Sequence, residues 1–289
     1  MALRIDSHHH FWNTDNPDYD YYWMSDDLAV IKGQRRPQDL LPWIQAKGID
    51  KTIMVQTIPS LRETEDFLKI AADTDFVAGV VGWVDLTNPE IGNTLKRLKS
   101  GPDGKYLVGI RHQVHDEEDA RWLLRKNVRH GIKAVGAADL TYDLLLKSRE
   151  LPAGLEIVQE NPGMRFVMDH ISKPNIQEGE IEPWAGQMKK MAEYPNVWVK
   201  VSGMITEADW YNWKPDDIKP YVDMLLDWYG PSRLMFGSDW PVCTLAGTYS
   251  QVYDTAAYCF SGLNSDDLAA VFGGNAVSAY KLDDFHLRT

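Results

Sequence analysis

Eight short apolar runs, each followed by a stretch of helical character, recur along the whole chain, and this alternation restricts its fold more than any other feature. The runs cover residues 2–5, 52–56, 77–84, 107–111, 140–145, 164–168, 197–201 and 233–236. Their length and continuous apolar character suit parallel strands buried on both faces. The run at 140–145 fits a helix equally well, since short apolar runs carry no distinguishing period.

The intervening segments carry helix signals. Pro37 stands at the start and Gly48 past the end of a segment with Leu40, Leu41, Trp43 and Ile44 on one side. Ser60 and Glu63 have capping-box spacing ahead of Phe67, Leu68 and Ala71. Further helices are predicted over 89–99, from the acidic run 116–119, through Val128, Ile132 and Val135, and over 152–160, 183–192 and 215–229. Two more, 248–260 and 265–272, close the chain. Strand followed by helix, eight times over 289 residues, predicts an α/β chain folded as a (β/α)8 TIM barrel, a single domain spanning 1–289. A doubly wound open sheet is disfavoured because no glycine-rich fingerprint follows the first run.

Charge and composition narrow the partners. A net charge of -12, with 42 acidic against 30 basic residues, lacks the basic footprint that nucleic acid requires. No apolar stretch approaches the roughly 20 residues that span a bilayer, so no membrane partner is expected. The two cysteines, Cys243 and Cys259, form no closely spaced pair, which points to neither a disulfide framework nor a thiolate zinc site and suits a cytoplasmic location. A homo-oligomer is left open. The aromatic and acidic segment 11–36 has no clean period, and it is expected to sit over the strand ends as a lid or pocket wall.

In a barrel the chemistry gathers at the carboxyl ends of the strands. Those ends carry His8 and His10, Gln56, Trp83 and Asp85, Arg111 and His112, Asp143, Asp169 and His170, Lys200 and Ser202, and Asp239. In an extended strand His8 and His10 share a face with Asp6 while His9 points away, so two imidazoles converge on one point. That pattern suits a divalent metal or two groups aimed at one substrate oxygen. The other readings of three consecutive histidines are a tag remnant or a surface cluster without a role.

The pieces Asp6-Ser7-His8-His9-His10-Phe11-Trp12, Gly109-Ile110-Arg111-His112, Asp169-His170-Ile171-Ser172-Lys173-Pro174, Lys200-Val201-Ser202-Gly203, Phe236-Gly237-Ser238-Asp239-Trp240-Pro241 and Asn275-Ala276 together span nearly the whole chain. In their order and spacing the chain resembles the amidohydrolase superfamily (amidohydrolase 2 type), and more narrowly its sugar lactonase branch of L-fuconolactonase-like and L-rhamnonolactonase-like enzymes. The resemblance implies His8, His10 and His170 around a reacting carbonyl and Asp239 as the base that takes a proton from water. It implies a Zn²⁺ held by His8, His10, His170 and Asp239, or metal-independent chemistry by the same four residues. The bridging lysine or glutamate of binuclear members has no counterpart, and Lys200-Val201-Ser202 stands where such members carry a histidine.

The expected activity is hydrolysis of a sugar-acid lactone of L-fucono-, L-galactono- or L-rhamnono-type by a hydrolase acting on a carboxylic ester. Gln56, Trp83, Arg111, His112, Lys173, Lys200 and Trp240 are the expected substrate-binding residues, from their places at or just beyond strand ends. The alternative is metal-dependent nonoxidative decarboxylation of an aromatic acid.

Overall fold

The computed structural model describes residues 2–288 and contains the eightfold alternation. Strands β1 (Ile5–His9), β2 (Lys51–Val55), β3 (Val77–Gly82), β4 (Leu107–His112), β5 (Thr141–Leu144), β6 (Phe166–Met168), β7 (Val197–Val201) and β8 (Leu234–Phe236) follow one another in a single parallel sheet. The ring closes where His9 bridges Trp240, with His10 N donating to Trp240 O at 2.7 Å and Asp239 N to His8 O at 2.8 Å. This is a (β/α)8 barrel. Outside it run α1 (Pro37–Lys47), α2 (Leu61–Ala72), α3 (Ile91–Ser100), α4 (Lys126–Ala137), α5 (Leu151–Glu160), α6 (Trp184–Met191), α7 (Pro215–Tyr229) and α8 (Tyr249–Cys259). Ser60 caps α2 by accepting from Glu63 N, as its spacing predicts.

Apolar packing forms two layers. A large cluster joins strand residues such as Val80 and Ile110 to helix residues such as Ile44, Phe67 and Ile132. A smaller one gathers Ile5, Ile53, Val55, Val108, Val167 and Met235 with Ala276, Ala279 and Tyr280 of the closing helix. That helix plugs the amino end of the barrel, where Thr141 Oγ donates to Ala279 O. The chemistry is thereby left the carboxyl end. Among the described residues, no helix is long and apolar enough to cross a membrane.

Three local expectations are corrected. The pairing of β1 with β2 runs Ile5 to Lys51, Asp6 to Thr52 and then His9 to Met54, so β1 carries one extra residue, a bulge. Asp6 therefore does not share a face with His8. Its carboxylate accepts from Ser238 N at 2.8 Å and from Tyr249 Oη of α8 at 3.1 Å, binding the strand to the outer shell. The acidic run 116–119 opens no helix: two 3₁₀ turns, Val114–Asp116 and Trp122–Leu124, precede α4. Asp119 accepts from Arg121 N, a local turn that competes with helix formation. The closing helix continues past residue 272 through a π turn at Ala270–Gly274 to Tyr280. The ambiguous run 140–145 is a strand, held between β4 and β6.

Helix α4 reaches the barrel through Gly131, where a Cβ would stand 2.2 Å from Leu86 O, while Gly92 at the start of α3 has nothing within 4 Å. Gly131→Ala is expected to destabilise the protein by about 2 kcal/mol or more, and Gly92→Ala to leave it unchanged or raise it by up to about 1 kcal/mol. Denaturant midpoints of the two variants check this; equal midpoints would contradict the close approach.

Candidate active site

One carboxylate oxygen collects three imidazoles. Asp239 Oδ1 lies 3.3 Å from His10 Nε2, 3.8 Å from His8 Nε2 and 3.9 Å from His170 Nε2. His8 Nε2 and His10 Nε2 are 3.2 Å apart. His8 stands on β1 and His10 just past its end, and the turns after β6 and β8 supply His170 and Asp239.

Both turns hold their residues in the left-handed region, with φ 52° at His170 and 56° at Asp239, and Ile171, Ser172 and Lys173 continue it. Each such non-glycine residue costs roughly 1–2 kcal/mol. Backbone held this way at a cluster of titratable groups marks a functional site. Two motif glycines make the space. A Cβ on Gly203 (φ +63°) would lie 2.6 Å from His170 Nδ1, and one on Gly237 would lie 2.8 Å from His8 Cβ.

Beneath the imidazoles lies a fully buried ionic layer. Lys200 Nζ is 2.6 Å from Asp143 Oδ2, 2.9 Å from Asp169 Oδ1 and 3.2 Å from His8 Nδ1. Arg111 donates to Asp169 Oδ2 at 2.8 Å, to Gln56 Oε1 at 2.9 Å and to Gln56 O. Tyr280 Oη donates to Asp143 Oδ2 at 2.7 Å from the plug below. Two cations and two carboxylates thus pair inside the barrel. Removing any one would strand a buried charge, at about 3–5 kcal/mol.

Burial and this layer set the charge states above. Burial drives His8 well below the ordinary imidazole value, and Lys200 and His170 add to the effect. Burial also takes His170 down to about 4. Both rings are neutral at pH 7. Burial works against ionised Asp239, but His170, His10 and Lys173 outweigh it and hold the carboxyl below the usual range. Lys200, His8 and Arg111 likewise outweigh burial at Asp169. His10 Nδ1 faces the carbonyl of Val55 at 2.7 Å, which can only accept. That nitrogen therefore carries a proton.

The quartet opens onto a small cavity of about 130 Å³ lined by His10, Arg111, His170, Lys173 and Asp239. The other residues expected at the substrate lie elsewhere. Lys200 is wholly buried by its three partners, and Gln56 is spent on Arg111 and Ile58 O. Trp83 Nε1 donates to His112 Nδ1, while His112 lies flat on Trp122 and bonds Glu117 at 2.8 Å. Trp240 packs edge-on against Phe11 in the outer core. Each of these five is occupied by the protein itself and does not line the cavity. Arg111 is also largely consumed, while Lys173 Nζ pairs with Glu207 at 2.6 Å at the cavity wall.

Other lining residues went unanticipated: Thr57, Gln113, His115, Asp116, Leu145 and Val242. Gln113 and His115 stand just past the end of β4, and the alternation Arg111, Gln113, His115 was the available signal. The aromatic segment 11–36 does wall the mouth. Trp23 lines the cavity and donates to Thr57 O at 3.0 Å, and Tyr22 Oη donates to Asp116 at 2.9 Å.

His8, His170 and Asp239 offer three ligand atoms within 4.8 Å of one another. Ligands about 2.0–2.1 Å from a tetrahedral zinc stand roughly 3.4 Å apart, so nitrogen and oxygen donors spaced like these match zinc in chemistry and number.

The family model described as Amidohydrolase matches residues 5–282. The chain is 39% identical to the L-fucono-1,5-lactonase of Burkholderia ambifaria over 289 residues, 98% of this chain and 97% of that protein. It is 34% identical to the L-fucono-1,5-lactonase of Burkholderia multivorans, again over 98% and 97% of the two chains. A crystal structure of an amidohydrolase from Burkholderia multivorans with bound Zn superimposes with a TM-score of 0.92 at 35% identity, covering 98% of this chain and 100% of that one. A barrel carrying His-x-His on its first strand, His170 after its sixth and Asp239 after its eighth, matched over nearly its full length, belongs to the amidohydrolase family.

Proposed function

We propose that the chain hydrolyses a sugar-acid lactone, with an L-fucono-1,5-lactone type of substrate first among the candidates. The observation that carries this reading is the ionised, buried Asp239 with three imidazoles gathered at one of its oxygens, lining a small cavity together with His10 and His170. The names of the Burkholderia relatives support the substrate class.

Opening a lactone needs a positioned water, a base and donors for the oxyanion. Asp239 takes the water proton as the oxygen attacks the carbonyl carbon, a contribution of typically 10²–10⁴-fold. A tetrahedral oxyanion forms on the former carbonyl oxygen, next to the imidazoles. Its collapse breaks the bond to the ring oxygen, which leaves as a hydroxyl after taking the proton from Asp239. Lys173 and Gln113 stand where they can bind substrate hydroxyls. A Zn²⁺ held by His8, His10, His170 and Asp239 would supply Lewis-acid polarisation of the carbonyl. The buried free thiols of Cys243 and Cys259 support a reducing, cytoplasmic setting.

Asp239→Asn is expected to lower kcat on L-fucono-1,5-lactone by about 10²–10⁴-fold with the thermal unfolding midpoint unchanged. A pH-indicator assay over a panel of aldonolactones checks this; turnover of none, or an active Asp239→Asn enzyme, would contradict it. The second expectation concerns His170. Its folded value of about 4 lies below the ordinary imidazole value of 6.5. Between those values the unfolded chain binds a proton that the folded chain refuses. Its contribution to stability is therefore complete above about pH 6.5 and lost as the pH falls towards 4. NMR titration of His170 in metal-free protein should give a midpoint near 4, and a midpoint near 6.5 would contradict the burial.

A further inference from the structure

We propose that Glu63 is a positioning residue: from the first turn of α2 its carboxyl group holds the loop after β2, so that Thr57 seats Trp23 as a wall of the substrate cavity. The identity of the substrate that meets this wall rests on the lactonase reading.

Ser60 and Glu63 have capping-box spacing, yet only half of the box forms. Ser60 Oγ accepts from Glu63 N at 3.2 Å, but Ser60 N donates to Ile58 O at 2.8 Å rather than to the Glu63 carboxyl group. The carboxyl group turns to the preceding loop instead. Its Oε2 accepts from Thr57 N at 2.9 Å and from Ile58 N at 3.3 Å, and its Oε1 accepts from Thr57 Oγ1. Glu63, Thr57 and Ile58 are all buried. A buried N–H that loses its acceptor costs its full desolvation, so Glu63 fixes the path of the loop.

The consequence for the cavity runs through one peptide unit. Ile58 N and Thr57 O belong to the same trans peptide, whose N–H and C=O point to opposite edges. The carboxyl group that takes the N–H therefore turns the oxygen away from α2. Trp23 Nε1 donates to that oxygen at 3.0 Å, and Thr57 and Trp23 both line the cavity.

The support is rigid on both sides. Thr64, the next residue of α2, places its Oγ1 2.7 Å from Trp83 N and 2.8 Å from Trp83 O, fastening the start of α2 to the end of β3. A Cβ on Gly82 would stand 2.5 Å from Thr64 Cγ2, so this approach needs the glycine. Across the loop, Arg111 donates to Gln56 Oε1 at 2.9 Å, and Gln56 Nε2 donates to Ile58 O at 3.1 Å.

The clamp works in either charge state. Burial pushes the Glu63 carboxyl up to about 7, but a proton on Oε1 can pass to the bond with Thr57 Oγ1, which accepts as readily as it donates, while Oε2 keeps both N–H groups. Glutamine meets the same three partners, and leucine meets none.

The test uses full-length protein with ¹⁵N-labelled tryptophan, the Trp23 indole N–H signal being identified by its loss in Trp23→Phe. Glu63→Leu should shift that signal and speed its exchange with water by about 10-fold, as when one hydrogen bond is lost, and Glu63→Gln should leave it as in the wild type. On L-fucono-1,5-lactone, Glu63→Leu and Trp23→Phe should each raise KM by about 10-fold with kcat little changed. Because both break one connection, the double variant Glu63→Leu/Trp23→Phe should raise KM no further than either alone. Glu63→Asp, one methylene short of the loop, serves if Glu63→Leu does not fold, with the same changes expected in smaller size. An unmoved indole signal in a folded Leu or Asp variant, additive effects on KM, or Glu63→Gln behaving as Glu63→Leu would overturn the proposal. If the wild-type protein turns over no lactone while the indole results hold, the substrate reading fails and the role of Glu63 stands.

Discussion

The ammonium of Lys200 lies under everything else in the barrel mouth. It sits without solvent between two carboxylates, Asp143 and Asp169, and its third side meets the ring of His8. Asp169 in turn holds Arg111, Arg111 holds Gln56, and Tyr280 reaches up from the plug to Asp143. A buried layer of this kind is a weak source of net stability, because desolvation offsets most of the attraction. What it supplies is direction. Its members hold one another in place, and the His8 ring above rests against Lys200 and Arg111.

The remainder of the site depends on backbone that departs from regular strand geometry. The bulge in β1 turns Asp6 outward onto Ser238 and Tyr249 and so fastens the strand behind the histidines. Left-handed residues at His170 and Asp239 turn the chain abruptly at the ends of β6 and β8. Gly203 and Gly237 leave room for the two rings where any Cβ would strike them. The cost of these conformations is met by a large apolar shell between strands and helices, and the chemistry is confined to the end of the barrel that the closing helix does not fill.

The barrel was legible because eight apolar runs alternate with helix signals, and the four central residues because strand ends in such a fold share one mouth. Directions of side chains were not legible. Lys200, Trp83, His112 and Trp240 stand at the right ends of the right strands, yet each is taken up by protein partners away from the cavity, since a strand end says nothing of which neighbour a long side chain will meet. The outward turn of Asp6 depends on a one-residue bulge that apolar alternation does not record. Residues 116–119 have helical composition, but the turn that Asp119 makes onto Arg121 N takes precedence. Gln113 and His115 lie past the motif of β4, in a stretch whose path is set by tertiary packing rather than by local pattern.

Together these features give a mouth arranged for attack by water on an acyl carbon: an ionised carboxylate with three imidazoles gathered at one of its oxygens, beside a small cavity. The nearest chemical consequence is the fate of the water oxygen. Hydrolysis of L-fucono-1,5-lactone in H₂¹⁸O, with the acid product analysed by mass spectrometry after a single turnover, reads it directly. Attack at the carbonyl places ¹⁸O in the carboxylate and leaves the C5 hydroxyl unlabelled; label in the C5 hydroxyl, or no enzyme-dependent product, would contradict it.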